Sequence, residues 1–166
     1  WFDISADDGG FSIINNAKSG FMAKNGEVSL NLFRATNYPC EKAEIHSFSY
    51  SYAIYLHNGT FNPIVVDDIA ADFNSCYLYG NSAIDVPSSD NSCAAVSSFK
   101  PAYDGNGYIV RIYERTGKTV KVRLKLPKAF KIVCETDLLE DEIGGATEEF
   151  ELKPFEIKTF RLSYEG

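Results

Sequence analysis

From Val120 to Leu126 every second residue is valine or leucine, and every residue between them is lysine or arginine. A repeat of two matches the geometry of a β-strand, whose side chains alternate between faces, and cannot place an apolar stripe on a helix. The same period runs through His46 to Leu56, where Phe48, Tyr50, Tyr52, Ile54 and Leu56 alternate with Ser47, Ser49, Ser51, Ala53 and Tyr55. It recurs in Ser29–Phe33, with Leu30 and Leu32 on one side. These stretches predict half-buried antiparallel strands with the apolar set facing inward. Further strands are expected at Phe11–Ile14, Ala94–Lys100, Tyr108–Glu114, Phe130–Cys134, Glu148–Leu152 and Ile157–Tyr164.

Turn residues punctuate these runs: Asp8-Gly9-Gly10, Asn25-Gly26, Asn58-Gly59, Asp104 to Gly107, Thr116-Gly117 and Gly144-Gly145. One helix is expected, at Asp67–Asn74, no longer than two turns. The fold class predicted is all-β, an antiparallel β-sandwich, because strands recur at roughly 8–12-residue spacing. The 166 residues suit one domain or a compact pair. The polar stretch from Gly80 to Ser92 marks the boundary, giving pieces 1–91 and 92–166.

Charge changes at the same place. Residues 1–85 carry four basic and ten acidic residues, and residues 86–166 carry twelve and thirteen. That balance excludes a nucleic-acid partner, which needs a clustered basic surface. Lys121, Arg123 and Lys125 are the nearest approach, and their alternation makes them the wet face of one strand. No run approaches the roughly 18 apolar residues of a membrane helix, so no membrane partner is expected. The first residue is Trp1 rather than methionine, which reads as a piece of a longer polypeptide.

Cys40, Cys76, Cys93 and Cys134 form no CxxC pair and have no histidine at metal-ligand spacing. Free thiols in a reducing, cytoplasmic setting are expected. Asn58-Gly59-Thr60 is a glycosylation sequon in form, but Asn-Gly favours a tight turn. Asp104-Gly105-Asn106-Gly107 lacks the later glutamate of a calcium loop and is expected to be a turn. Asp7-Asp8, Asp67-Asp68, Glu140-Asp141-Glu142 and Glu148-Glu149 are expected on solvated surface. His46 and His57 bracket one strand roughly 35 Å long, too far apart to share a metal ion.

Three blocks near the end carry more information: Tyr108-Ile109-Val110-Arg111-Ile112-Tyr113-Glu114-Arg115-Thr116-Gly117, Asp137-Leu138-Leu139-Glu140, and Pro154-Phe155-Glu156-Ile157-Lys158-Thr159-Phe160-Arg161-Leu162. In this order and spacing they resemble the C-terminal region of family 38 glycoside hydrolases, the retaining α-mannosidases. Gly10 to Phe21, Val28 to Arg34, His46-Ser47-Phe48-Ser49-Tyr50 and Leu56-His57-Asn58-Gly59 resemble earlier stretches of the same region. Ser19, Glu44-Ile45 and Leu56 depart from the family pattern.

The resemblance implies a galactose-mutarotase-like sandwich remnant, with residues 1–91 as closing strands of a large central β-sandwich. It implies that 92–166 form a small C-terminal sandwich. It places the catalytic carboxylates and a zinc ion in an N-terminal barrel with no counterpart here, so no catalytic or metal residue is assigned within these 166 residues. The implied partners are that barrel, the rest of the central sandwich, a mannoside bound by the whole enzyme, and other copies in a homo-oligomer. The fragment would brace the barrel and shape its cleft while being inert alone. Arg34, His46 and His57 are the interdomain or cleft-edge candidates. The alternative is a free-standing carbohydrate-binding module, with Tyr52, Tyr55, Tyr77, Tyr79, Tyr103 and Tyr108 offering rings for sugar stacking. An immunoglobulin-like domain is disfavoured because the only tryptophan is Trp1.

Overall fold

The computed structural model describes residues 1–34, 38–39, 41, 47–75 and 85–165. They fall into two compact units, Trp1–Tyr77 and Leu78–Gly166. Both are built from antiparallel strands, as the period of two requires.

The first unit opens with β1 (Phe2–Ser5) and β2 (Gly10–Asn15), paired from Phe2↔Ile13 to Ser5↔Gly10. A hairpin follows, β3 (Phe21–Lys24) and β4 (Glu27–Leu30). Its two-residue turn puts Asn25 at φ 53° and Gly26 at φ 79°, the pair of left-handed residues that matches strand twist. Phe21 stacks on Phe2 with ring centroids 4.5 Å apart. β5 (Tyr52–His57) pairs with β2 and completes the order β1-β2-β5.

β5 departs from the sequence expectation twice. It begins at Tyr52; Ser47–Ser51 join no ladder. Instead Asn16 fastens Ser51, its backbone N–H donating to the Ser51 carbonyl at 3.1 Å and its side chain accepting from Ser51 N at 2.8 Å. The faces are also inverted. Tyr52, Ile54 and Leu56 are 60%, 60% and 74% exposed, whereas Ala53, Tyr55 and His57 are half-buried. Their partners Ser12 and Ile14 on β2 are fully buried.

α1 (Pro63–Asn74) lies against β2. It has twelve residues, three turns rather than the two expected. The missed turn carries its own start signal: the Asn62 side chain accepts from Ile64 N at 3.0 Å, and Pro63 occupies the first helical position, where a missing N–H costs nothing. Asn62→Ala lowers the stability of this unit by about 1 kcal/mol, measurable by thermal unfolding. Burial of Val66 outweighs the weak helix propensity of Ile64-Val65-Val66.

The second unit is a two-layer sandwich. Its strands are β6 (Ser88–Ser89), β7 (Ala94–Pro101), β8 (Tyr108–Glu114), β9 (Val120–Lys125), β10 (Phe130–Thr136), β11 (Glu142–Gly144), β12 (Glu149–Leu152) and β13 (Ile157–Tyr164). One layer has the order β11-β10-β13-β8-β7 and the other β12-β9-β6. Val110, Ile112, Phe160 and Leu162 of the large layer pack with Val122, Leu124 and Leu152 of the small one. Phe99, Tyr108, Phe130 and Tyr164 close the cluster with edge and tilted ring contacts. Lys121, Arg123 and Lys125 face water, as alternation requires. Arg123 reaches Glu149 across the ladder at 3.0 Å, an exposed pair of little energetic weight.

The Asp104–Gly107 stretch joins β7 to β8. Ala102 N donates to the Gly107 carbonyl at 3.0 Å, and Asp104 accepts from Asn106 N at 2.9 Å. Gly107 sits at φ 81°, where an added Cβ would come within 2.2 Å of the Leu162 carbonyl oxygen.

Candidate functional site

His57 ends β5 and faces Asp3 of β1 across β2. Its Nε2 lies 2.8 Å from Asp3 Oδ2, and its Nδ1 donates to the Gly59 carbonyl at 3.0 Å. The two side chains are 8% and 5% exposed. Asp3 accepts further hydrogen bonds from Ser12 Oγ at 2.6 Å and from Ser5 Oγ. Burial alone would push the Asp3 carboxyl up, but the donors from Ser12, Ser5 and His57 prevail and hold it below the ordinary carboxylate range. Gly10 makes the approach possible, because a Cβ there would meet the His57 ring at 2.9 Å and the Ile4 carbonyl at 2.3 Å.

The composition of this cluster is that of a Ser-His-Asp hydrolase, but the connectivity is not. Both serine hydroxyls donate to the carboxylate, and both ring nitrogens are already engaged. No imidazole lone pair faces a hydroxyl, so neither serine is activated as a nucleophile. The cluster is a charge-assisted clasp joining β1, β2, β5 and the turn after β5.

Arg34 and Lys18 line an open groove of about 380 Å³ with Ser19 and Asn31. The Asn31 N–H donates to the Gly20 carbonyl at 2.7 Å, which sets one wall. The Lys18 ammonium stands 5.7 Å from the ring centres of both Phe48 and Tyr50. His46, Cys40, Cys76, Tyr77 and Tyr79 lie outside the described residues. Cys93 and Cys134 are free thiols. Among the described residues no group of three His, Cys, Asp or Glu side chains is placed to hold a metal ion.

Of the tyrosines proposed for sugar stacking, Tyr103 is 93% exposed and Tyr52 lies on the open face of β5. Tyr55 and Tyr108 are half-buried, and Tyr108 belongs to the ring cluster of the sandwich core. Among the described residues, no ring contact joins any two of Tyr52, Tyr55, Tyr103 and Tyr108.

The second unit holds two polar centres that strand periodicity hides. Glu114 is 1% exposed at the end of β8. Its carboxylate accepts from Thr116 N at 2.6 Å, Gly117 N at 2.8 Å, Phe155 N at 3.0 Å and Thr116 Oγ1. Burial alone would raise its pKa; the donors from Phe155, Thr116 and Gly117 outweigh that and lower it to about 2. The available sequence signal was an acidic residue two and three positions before turn amides, in Glu114-Arg115-Thr116-Gly117.

The other centre is Arg161. Its Nη1 contacts both Asp104 carboxylate oxygens, at 2.9 and 3.0 Å, and its Nη2 donates to the Glu140 carbonyl at 3.0 Å. The Glu140 carboxylate pairs with Lys100 and accepts from Tyr103 N at 2.7 Å. The expectation that Glu140 lies on solvated surface is therefore wrong: its side chain is 10% exposed, because Lys100 and a backbone amide replace water. The hydrogen bond from Arg161 lowers the pKa of Asp104, and that from Lys100 lowers the pKa of Glu140. Arg111 Nη2 donates to the Leu138 carbonyl at 3.3 Å, so the Asp137–Asp141 loop is pinned by two arginines. These contacts brace loops and present no reacting pair.

Comparison with known proteins bears on this arrangement. Residues 94–160 match the family model of the glycosyl hydrolases family 38 C-terminal β-sandwich domain. The chain is 27% identical to alpha-mannosidase G of Dictyostelium discoideum over 98% of its own length and 17% of that protein. It is 27% identical to an alpha-mannosidase of Saccharomyces cerevisiae over 98% of its length and 18% of that protein. The chain thus spans less than a fifth of these relatives. The crystal structure of an alpha-mannosidase from Enterococcus faecalis V583 shares the fold, with a TM-score of 0.72 and 17% identity over 96% of this chain and 20% of that one.

Proposed function

We propose that the chain is the non-catalytic C-terminal region of a retaining α-mannosidase acting on terminal α-mannosides, because residues 94–160 match the family model of the glycosyl hydrolases family 38 C-terminal β-sandwich domain. The observation that carries this reading is similarity over 98% of the chain to alpha-mannosidases of which it spans only 17% and 18%. Its two clasps, Asp3–His57 and Glu114, hold strands and turns and offer no acid–base pair, which suits a bracing role. The first piece closes a large central sandwich, and the second braces the enzyme from its own small sandwich. The zinc that the family implies finds no ligand set among the described residues and is assigned to the catalytic barrel. A cytoplasmic setting fits the free Cys93 and Cys134.

The test is hydrolysis of an aryl α-mannoside with zinc present. The 166-residue chain gives no turnover above buffer, and the polypeptide encoded by the whole reading frame turns the substrate over. Turnover by the 166-residue chain that disappears on mutating one of its own acidic residues would overturn the reading. Arg34, in its groove beside Lys18, is the cleft-edge candidate. Arg34→Ala in the longer polypeptide lowers kcat/KM about tenfold through lost positioning, and unchanged kinetics would remove Arg34 from the cleft.

A further inference from the structure

Three Asn-Gly pairs occur in the chain, at Asn25-Gly26, Asn58-Gly59 and Asn106-Gly107. Such a pair carries its own chemistry. With no side chain on the glycine to obstruct it, the glycine nitrogen can attack the asparagine Cγ. The N–Cγ bond forms, the Cγ–Nδ2 bond breaks, and ammonia leaves with the amide proton. Water then opens the five-membered succinimide at either carbonyl and leaves aspartate or isoaspartate. The reaction needs only water, so the fold decides which pair reacts. The asparagine must rotate until its Cγ meets the nitrogen, and a pinned backbone forbids that.

Two of the three pairs are pinned. The Asn106 carbonyl accepts from Arg161 Nη1 at 2.8 Å, and Asn106 N donates to Asp104 Oδ1 at 2.9 Å. The Gly107 carbonyl accepts from Ala102 N, and its Cα is pressed against the Leu162 carbonyl. The Gly59 carbonyl accepts from His57 Nδ1 at 3.0 Å. That pair also seats on the turn between β1 and β2, where a Cβ on Gly59 would meet the Asp7 carbonyl oxygen at 3.7 Å.

Asn25-Gly26 differs on each count. Both residues are exposed, and a Cβ added to Gly26 would meet no atom within 4 Å. They form the turn of β3 and β4, which make a two-stranded sheet of their own. Lys24↔Glu27 is the last ladder pair, so the Gly26 nitrogen lies outside the ladder. A two-stranded ribbon this short is marginal by itself. The stack of Phe21 on Phe2 anchors its far end, and the turn end is left to open locally. Water reaches the pair through an open groove of about 270 Å³ that it lines with Ile4 and Phe11.

We propose that Asn25 is a deamidation site, selected by the fold over Asn58 and Asn106, and that its isoaspartyl product breaks the β3–β4 hairpin. Isoaspartate adds a methylene to the main chain inside a two-residue turn whose length sets the pairing from Phe21↔Leu30 to Lys24↔Glu27. The new carboxylate also stands two positions from Glu27.

Peptide mass mapping of the folded 166-residue chain, held at mildly alkaline pH, tests the site. The peptide containing Asn25 gains about 1 Da and splits into two products, at least about tenfold faster than the peptides containing Asn58 or Asn106. In urea strong enough to unfold both units the three rates converge. Asn25→Gly, which keeps a turn that accepts positive φ, removes the early mass gain and leaves Asn58 and Asn106 slow. Equal rates in the folded chain, or earlier reaction at Asn58 or Asn106, overturn the proposal. So does a lead of Asn25 that persists unchanged in urea, because neighbouring sequence rather than the fold would then select it. Amide hydrogen exchange in Phe21–Leu30 is faster in the isolated isoaspartyl form than in the unmodified chain; equal exchange overturns the breaking of the hairpin.

Discussion

Glu114→Ala lowers the stability of the second unit by about 4 kcal/mol, a loss visible as an early transition in urea. The carboxylate satisfies three backbone amides, at Thr116, Gly117 and Phe155, and truncation leaves those donors without an acceptor beside a vacated buried site. One of these positions is unusual in itself: Phe155, a non-glycine residue, sits at φ 58°. One side chain therefore ties two turns together and holds Phe155 in a conformation it does not adopt cheaply alone. Glu114→Gln keeps the shape but loses the charge, and its amide nitrogen cannot accept where a backbone N–H donates. It costs about 3 kcal/mol, most of the alanine loss.

The same contact makes the second unit acid-sensitive in a defined direction. The folded pKa of Glu114 is about 2, below its ordinary 4.5. Its contribution is complete above the ordinary value and is lost as pH falls through 2. A difference of this size corresponds to about 3 kcal/mol. Wild type and Glu114→Gln should therefore differ strongly at pH 7 and converge near pH 2. A gap that persists unchanged to pH 2 would show that the charge is not what holds the turns.

Asp3→Ala lowers the stability of the first unit by about 3 kcal/mol. Two hydroxyl donors, Ser5 Oγ and Ser12 Oγ, lose their acceptor together, and the buried His57 ring loses its partner. Asp3 lies below its ordinary pKa, so its contribution is present above the ordinary carboxylate value and fades as pH falls below it. A double-mutant cycle of Asp3→Ala with His57→Ala isolates the pair. Additive losses would mean that the 2.8 Å contact carries no coupling of its own.

The strands most legible in the sequence are those with partners on both sides. β8 and β13 have the predicted bounds, and both sit inside the large layer, where burial enforces the pattern. β1, β3, β6 and β11 were missed: none exceeds four residues, and β3 is exposed throughout, so none builds a detectable period. β5 shows the limit of periodicity. Alternation says which side chains share a face, but not whether anything within reach covers it. The Asn62-Pro63 start of α1 was readable from capping chemistry alone. His57 stood out in the sequence, yet its partner Asp3 is 54 positions away, and the louder Asp7-Asp8 pair lies next to it. Glu114 was hidden inside a strand pattern because its role is set by turns that only folding brings together.

The position of β13 has a consequence for synthesis. The final strand in sequence lies in the middle of the five-stranded layer, between β10 and β8. A ribosome therefore releases β7, β8 and β10 before the strand that joins them exists. Until Tyr164 clears the exit tunnel, two separate ribbons expose their inner edges and half of a core that includes Val110 and Ile112. Closure of this layer therefore waits for β13, and until then its centre rather than its rim is missing.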